Sequence, residues 1–172
     1  MWKNIRQMRK SCGENVLAKE VINRLGIENP PVPVVRVAKK MGVTVLERPN
    51  ADFDSAFEID GDKASIWVKK SLKKPHRRYL TAYELGYLLR SDDMVHRSCD
   101  VLSGVGGCDM LSKEWLAHRF ASTLLMPEGM VMFAVSYMYL NIDAISNTFG
   151  VPEVVATDRL CSLGYKDNVM TF

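Results

Sequence analysis

In "NVLAKEVINRLGI", Val16, Leu17, Val21, Ile22 and Leu25 recur at helical spacing, and Gly26 stands where a helix stops. "NPPVP" breaks the chain. "VPVVRVAKKMGV" then predicts a second helix, with Val32, Val35, Val37 and Met41 as its apolar marks and Gly42 as its stop. "TVLERP" reads as a short strand. "SAFEID" and "KASIWVKKS", on either side of a Gly-Asp turn, read as a hairpin. A helix follows from about Pro75 to Leu89, with the proline suited to a first turn. Residues 92–110 are polar and glycine-rich and read as a loop. "SKEWLAHRFASTLLMP" predicts a helix capped by Ser112 and stopped by Pro127, and a Met-rich helix spans about 128–140. Residues 141–166 read as a helix-turn-helix-like closing segment within one domain covering 1–172. Strands grouped between helices argue for an α+β fold, a mainly helical body with a small three-stranded sheet.

Composition narrows the class. The chain has 172 residues, 47% hydrophobic and 25% charged, as in an ordinary globular domain. A net charge of +3 is too mild to point to nucleic acid. The N-terminal residues carry charge throughout, unlike a secretion signal, and the longest apolar run, "MVMFAVSYMYL", is too short to span a bilayer and reads as a buried helix. A cytoplasmic location is therefore expected, with Cys12, Cys99, Cys108 and Cys161 as reduced thiols. A zinc site built from His96, Cys99, Cys108 and His118 would need a ligand spacing unlike the tight known patterns.

Candidate chemistry concentrates in "RYLTAYELGYLLRS". On a helix, Tyr83 and Tyr87 share a face across Glu84. With histidines at those two positions this would be the H-E-x-x-H helix of a zinc peptidase, in which two imidazoles bind the ion and the glutamate activates its water. A phenol, with a pKa near ~10 against ~6.5 for histidine, is a neutral and poor ligand at neutral pH. Core packing of the two tyrosines with Leu80, Leu88 and Leu89 is the structural alternative.

The phrase "RRYLTAYELGYLL" followed by "EWLAHRFASTLLMP" resembles the ImmA/IrrE family of metallopeptidases, which carries H-E-L-G-H and, further on, E-x-x-A-x-x-F-A-x-x-L-L-M-P. Residues 78–87 match the first phrase except at the two histidines. Glu114, Ala117, Phe120, Ala121, Leu124, Leu125, Met126 and Pro127 match the second. The hairpin and the closing "AISNTFGVPEVVATDRLCSLG" are also similar, so the likeness runs from about residue 14 to 166. It implies a zincin-like fold, with the general-base position on Glu84 and the metal positions on Tyr83, Tyr87 and Glu114. With two of three zinc ligands replaced, the resemblance implies a member with no metal and no peptidase activity. Such a member would act as a regulatory binding protein for a helix-turn-helix repressor of a prophage, mobile element or stress response. On this expectation a hydroxyl of Tyr83 or Tyr87 lies within hydrogen-bond distance of Glu84 or Glu114, directly or through one water, because the two carboxylates are left without their cation.

Other features bear on partners. Lys69, Lys70, Lys73, Lys74 and Arg77 form a basic run at a helix start, where cations oppose the helix dipole; it is either a solvated face or a docking patch for an acidic partner or nucleic acid. In the closing segment, Asp143, Glu153, Asp158 and Asp167 would repel phosphate, which argues against DNA reading. Two other functions remain open: a DNA-binding regulator, and an active hydrolase with a non-standard metal set of Glu84 and Glu114, with or without His118, together with tyrosinate. The sequence leaves the oligomeric state open.

Overall fold

The computed structural model describes residues 14–90, 93–104, 112–138 and 141–165. In chain order they form α1 (Glu14–Arg24), α2 (Val34–Lys40), β1 (Val43–Arg48), β2 (Ser55–Asp60), β3 (Lys63–Lys69) and α3 (Lys74–Arg90). There follow β4 (Val95–Ser98), a short 3-10 turn (Val101–Gly104), α4 (Lys113–Leu125), α5 (Glu128–Met138), α6 (Ile142–Phe149) and α7 (Glu153–Ser162). The fold is α+β, with a small sheet against a mainly helical body.

The sheet has four strands in the order β1-β3-β2-β4, not three. β1 lies parallel to β3, and β2 is antiparallel to both β3 and β4. The added strand, β4, falls in the stretch expected to be a loop. Its inward residues, His96 and Ser98, are polar, so it lacks an apolar alternation, and pairing with β2 makes it a strand.

One face of the sheet carries Phe57, Ile59, Ala64, Ile66 and Val68 into the main core. On the other side Ala51, Phe53 and Ala56 form a smaller cluster with Trp67 packed against it. Helix α3 lies between the first face and α4. All its residues from Tyr79 to Leu89 are buried, as expected of a helix enclosed on every side. Gly86 makes the approach of α4 possible: a Cβ there would lie 2.9 Å from Phe120 Cδ1 and 3.0 Å from the Ala117 carbonyl oxygen.

Ser112 caps α4 by accepting from the Trp115 amide at 3.0 Å, and Asn141 caps α6 by accepting from Ala144. Some apolar marks fall outside the core. Val16 and Val35 are exposed, and in α2 the buried stripe is Val34, Val37 and Ala38, continued by Met41. The Met-rich run is also only partly buried. Val131 and Ala134 enter the core, whereas Met132, Phe133 and Tyr137 face outward, because α5 packs along one side only. No single helix among the described residues is long and apolar enough to cross a membrane.

Three ties hold the closing helices to the body. Arg78 donates to the carbonyls of Val32, Gly150 and Phe149 at 2.8, 2.9 and 3.3 Å, and its burial lowers its pKa. The buried Arg159 donates from Nε to the Met126 carbonyl at the end of α4; burial first, then the Arg119 charge, bring its pKa down to about 10. The third tie is His118, which bonds Asp158 at 2.8 Å through Nε2 and Tyr79 at 2.8 Å through Nδ1.

Two substitutions test these ties. Gly150 sits at φ +62°, with Arg78 Nε 2.9 Å from where a Cβ would be. Gly150→Ala is therefore expected to lower stability by roughly 1–2 kcal/mol in urea melts, the usual cost of left-handed backbone at a residue with a side chain. The hydrogen bond from His118 is the main cause that lowers the Asp158 pKa. A depressed acid contributes stability above its unfolded pKa of ~3.9 and loses it as the pH falls through the lower folded value. Asp158→Asn is thus expected to cost stability at pH 7, and urea melts should show a smaller stability loss than wild type below about pH 4.

Candidate active site

The centre forms where α3 crosses β2 and β4. Ser55 and Ser98 stand directly opposite each other in the β2–β4 ladder, as do Phe57 and His96. Alternation along the strands turns all four toward α3. Glu84 is fully buried on the facing side of that helix. Its Oε1 accepts from the Ser55 hydroxyl at 2.7 Å and from the Ser98 hydroxyl at 2.9 Å, and its Oε2 lies 2.9 Å from His96 Nδ1. With Nδ1 protonated, His96 is the third donor, and the carboxylate takes its hydrogen bonds from its own chain.

His96 is held by its rings as well. It stacks on Tyr87 at 3.8 Å and 17°, with Phe57 at 5.6 Å and 30°. Tyr83 and Tyr87 are both buried, their rings 6.4 Å apart, and the series continues to Tyr79 at 6.2 Å from Tyr83. The Tyr87 hydroxyl gives a hydrogen bond to Glu114, at the exposed start of α4. Burial first, then the charges of Glu114, Asp93 and Glu84 and that hydrogen bond, push the phenol up to about 12. Lys113 pairs with Asp93 at 3.0 Å beside this rim.

The fold thus brings Glu84, Tyr83, Tyr87 and Glu114 into one neighbourhood. Glu84 is held by Ser55, Ser98 and His96, and a phenolic hydrogen bond runs from Tyr87 to Glu114. Sequence reading missed the two serines, which carry no spacing signal, and considered His96 only beside cysteines. The Cys99 thiol instead faces the Asp52 carbonyl at 3.7 Å, and Cys12, Cys108 and Asp167 lie outside the described residues. His118 is no substitute metal ligand, since both of its ring nitrogens are engaged, and Asp158 is its partner and not a solvent-facing acid. Of the basic run, Lys69 lies 3.8 Å from Asp54 and Arg77 bonds Glu47 at 2.7 Å, while Lys70, Lys73 and Lys74 are exposed.

What this arrangement can do follows from its donors. A zinc ion held through positions 83 and 87 would need two neutral phenols to act as ligands, one with its pKa raised further, and a Glu84 whose oxygens already accept three bonds. The residues present do not fit that ion. Among the described residues, no group of three His, Cys, Asp or Glu side chains is placed to hold a metal. Nor is Ser98 a hydrolase nucleophile: its hydroxyl lies 3.3 Å from His96 Nδ1, the same nitrogen that serves Glu84, whereas a catalytic triad uses both ring nitrogens.

Comparison with known proteins bears on the fold and the family. No curated protein matches the chain. Among solved structures, a Mycobacterium tuberculosis transcriptional regulator is similar, with a TM-score of 0.65 at 20% identity over 91% of this chain and 49% of that one. The chain therefore spans about half the length of that regulator, and the likeness concerns the fold. A family profile for the Peptidase_M78, IrrE N-terminal-like domain matches residues 38–160. The α3 helix, the sheet before it and the α4 phrase all lie inside that match, and the chain belongs to the ImmA/IrrE family, in its IrrE N-terminal-like domain.

Proposed function

We propose that this protein is a regulatory binding protein without peptidase activity, acting in the cytoplasm on a helix-turn-helix transcriptional repressor of a prophage, mobile element or stress response. The observation that carries this reading is the state of the Glu84 centre. Tyrosine occupies both positions where the family has zinc-binding histidines, and the carboxylate at the general-base position is held by Ser55, Ser98 and His96. A general base must be free to take a proton from a water or substrate within hydrogen-bond reach, and three donors from its own chain oppose that. The tyrosine rings and His96 fill the space between α3 and β4, so the centre serves packing and shape. The exposed Lys70, Lys73 and Lys74 stand in this reading as candidate contacts for an acidic partner surface.

The test mixes the purified protein with repressors encoded beside its gene, with and without zinc. Complex formation with the repressor intact, unchanged by added zinc or by a chelator, is the expected result. Cleavage of the repressor that a chelator stops would establish an active metallopeptidase instead.

A further inference from the structure

Two depressions lie side by side on the surface that carries α5, and neither shares a residue with the Glu84 centre. The first is a groove of about 450 Å³ walled by Met130, Phe133, Ala134 and Tyr137. Phe133 and Tyr137 are 67% and 68% exposed, with rings 4.7 Å apart, and Met132 beside them is 57% exposed. Spacing of four along α5 sets these apolar side chains in a row, the form in which a groove receives one face of a partner helix. Methionine and aromatic side chains together make an adaptable apolar surface. The second depression, of about 420 Å³, carries Arg24, Arg36 and Lys40 in its wall. Glu28 and Asn29 line both, so the two depressions flank that loop.

We propose that these paired depressions dock an amphipathic helix of a protein partner, its apolar face in the α5 groove and an acidic flank against Arg36 and Lys40. Charge complementarity selects the acidic flank and excludes a basic one. A nucleic acid fits less well, because the apolar groove walled by Met130, Phe133, Ala134 and Tyr137 gives a phosphate chain no cationic partner beyond the basic wall. The inference rests on the reading of the chain as a binding protein. The repressor experiment above reports on that reading through any docking surface, and the following one reports on this surface alone.

The probe is a stapled, fluorescein-labelled amphipathic peptide with a Leu/Phe face and a glutamate flank, titrated by anisotropy. A lysine-flanked twin and an oligothymidine serve as controls. Only the acidic peptide is expected to bind, more weakly as salt rises. Phe133→Asp with Tyr137→Asp should weaken it by about tenfold or more, as for aromatic anchors at an interface core. Arg36→Glu with Lys40→Glu should weaken it by a similar factor. These side chains are exposed, so circular-dichroism melts should match wild type. No binding of the acidic peptide, equal binding of the two peptides, indifference to both variants, or oligothymidine binding lost in the same variants would each overturn the proposal.

Discussion

The double substitution Tyr83→His with Tyr87→His is expected to turn a zinc-indifferent protein into one that zinc stabilises. The backbone already meets the main requirement, because Tyr87 reaches Glu114 and Tyr83 lies one turn away on the same face of α3. Two imidazoles and one carboxylate are the ligand count of many zinc hydrolases, with the fourth position left for water. Zinc at about 100 times its dissociation constant would add roughly 2.7 kcal/mol of stability. For a domain of this size that corresponds to a rise of about 5–10 °C in melting temperature. Wild type should show no such shift, and Tyr87→His alone a smaller one. His96 opposes the gain, since it stacks on Tyr87 and holds Glu84. A shift without peptidase activity would therefore mean that the site binds metal while Glu84 stays engaged. A folded double variant indifferent to zinc would show that positions 83, 87 and 114 do not converge on one point.

Gly86→Ala is expected to lower stability by about 2 kcal/mol, within the 1–3 kcal/mol typical of overpacking. Alanine suits a helix better than glycine by up to ~1 kcal/mol, so propensity alone predicts stabilisation. Packing decides the sign here. The new methyl would stand 2.9 Å from Phe120 Cδ1 and 3.0 Å from both Phe120 Cβ and the Ala117 carbonyl oxygen. The ring can shift, but the backbone oxygen belongs to α4 and moves only if the two helices part. Chemical denaturation of the variant reads the effect directly. A neutral or stabilised Gly86→Ala would mean that α3 and α4 can separate without cost. Phe120→Ala in the same background should recover part of the loss, because the two sites are in contact and couple.

The helices and the hairpin were legible along the chain because their apolar residues repeat with a period that one buried face imposes. Leu17, Val21 and Ile22 in α1 and Ile66 and Val68 in β3 carry that signal, and the structure buries them all. The same periodicity could not tell which apolar residues a neighbour would cover. Val35, Phe133 and Tyr137 fit their stripes and still face outward, since covering them depends on elements far away in sequence. The centre divides in the same way. The placement of Tyr83, Glu84 and Tyr87 on one helix, and the loss of imidazole chemistry at its two outer positions, follow from the residues alone. That Ser55 and Ser98 would face each other across a ladder and close on Glu84 depends on the β2–β4 register, which joins residues far apart along the chain. β4 itself is a strand only because β2 offers it a hydrogen-bonding edge. The pairing of His118 with Tyr79 and Asp158 likewise exists only where α3, α4 and α7 meet. The helices, the hairpin and the tyrosines at positions 83 and 87 could be read along the chain, because all of them reside in local residue types. Tertiary structure decided what holds Glu84, because a buried carboxylate takes its donors from whichever strands the fold brings to it.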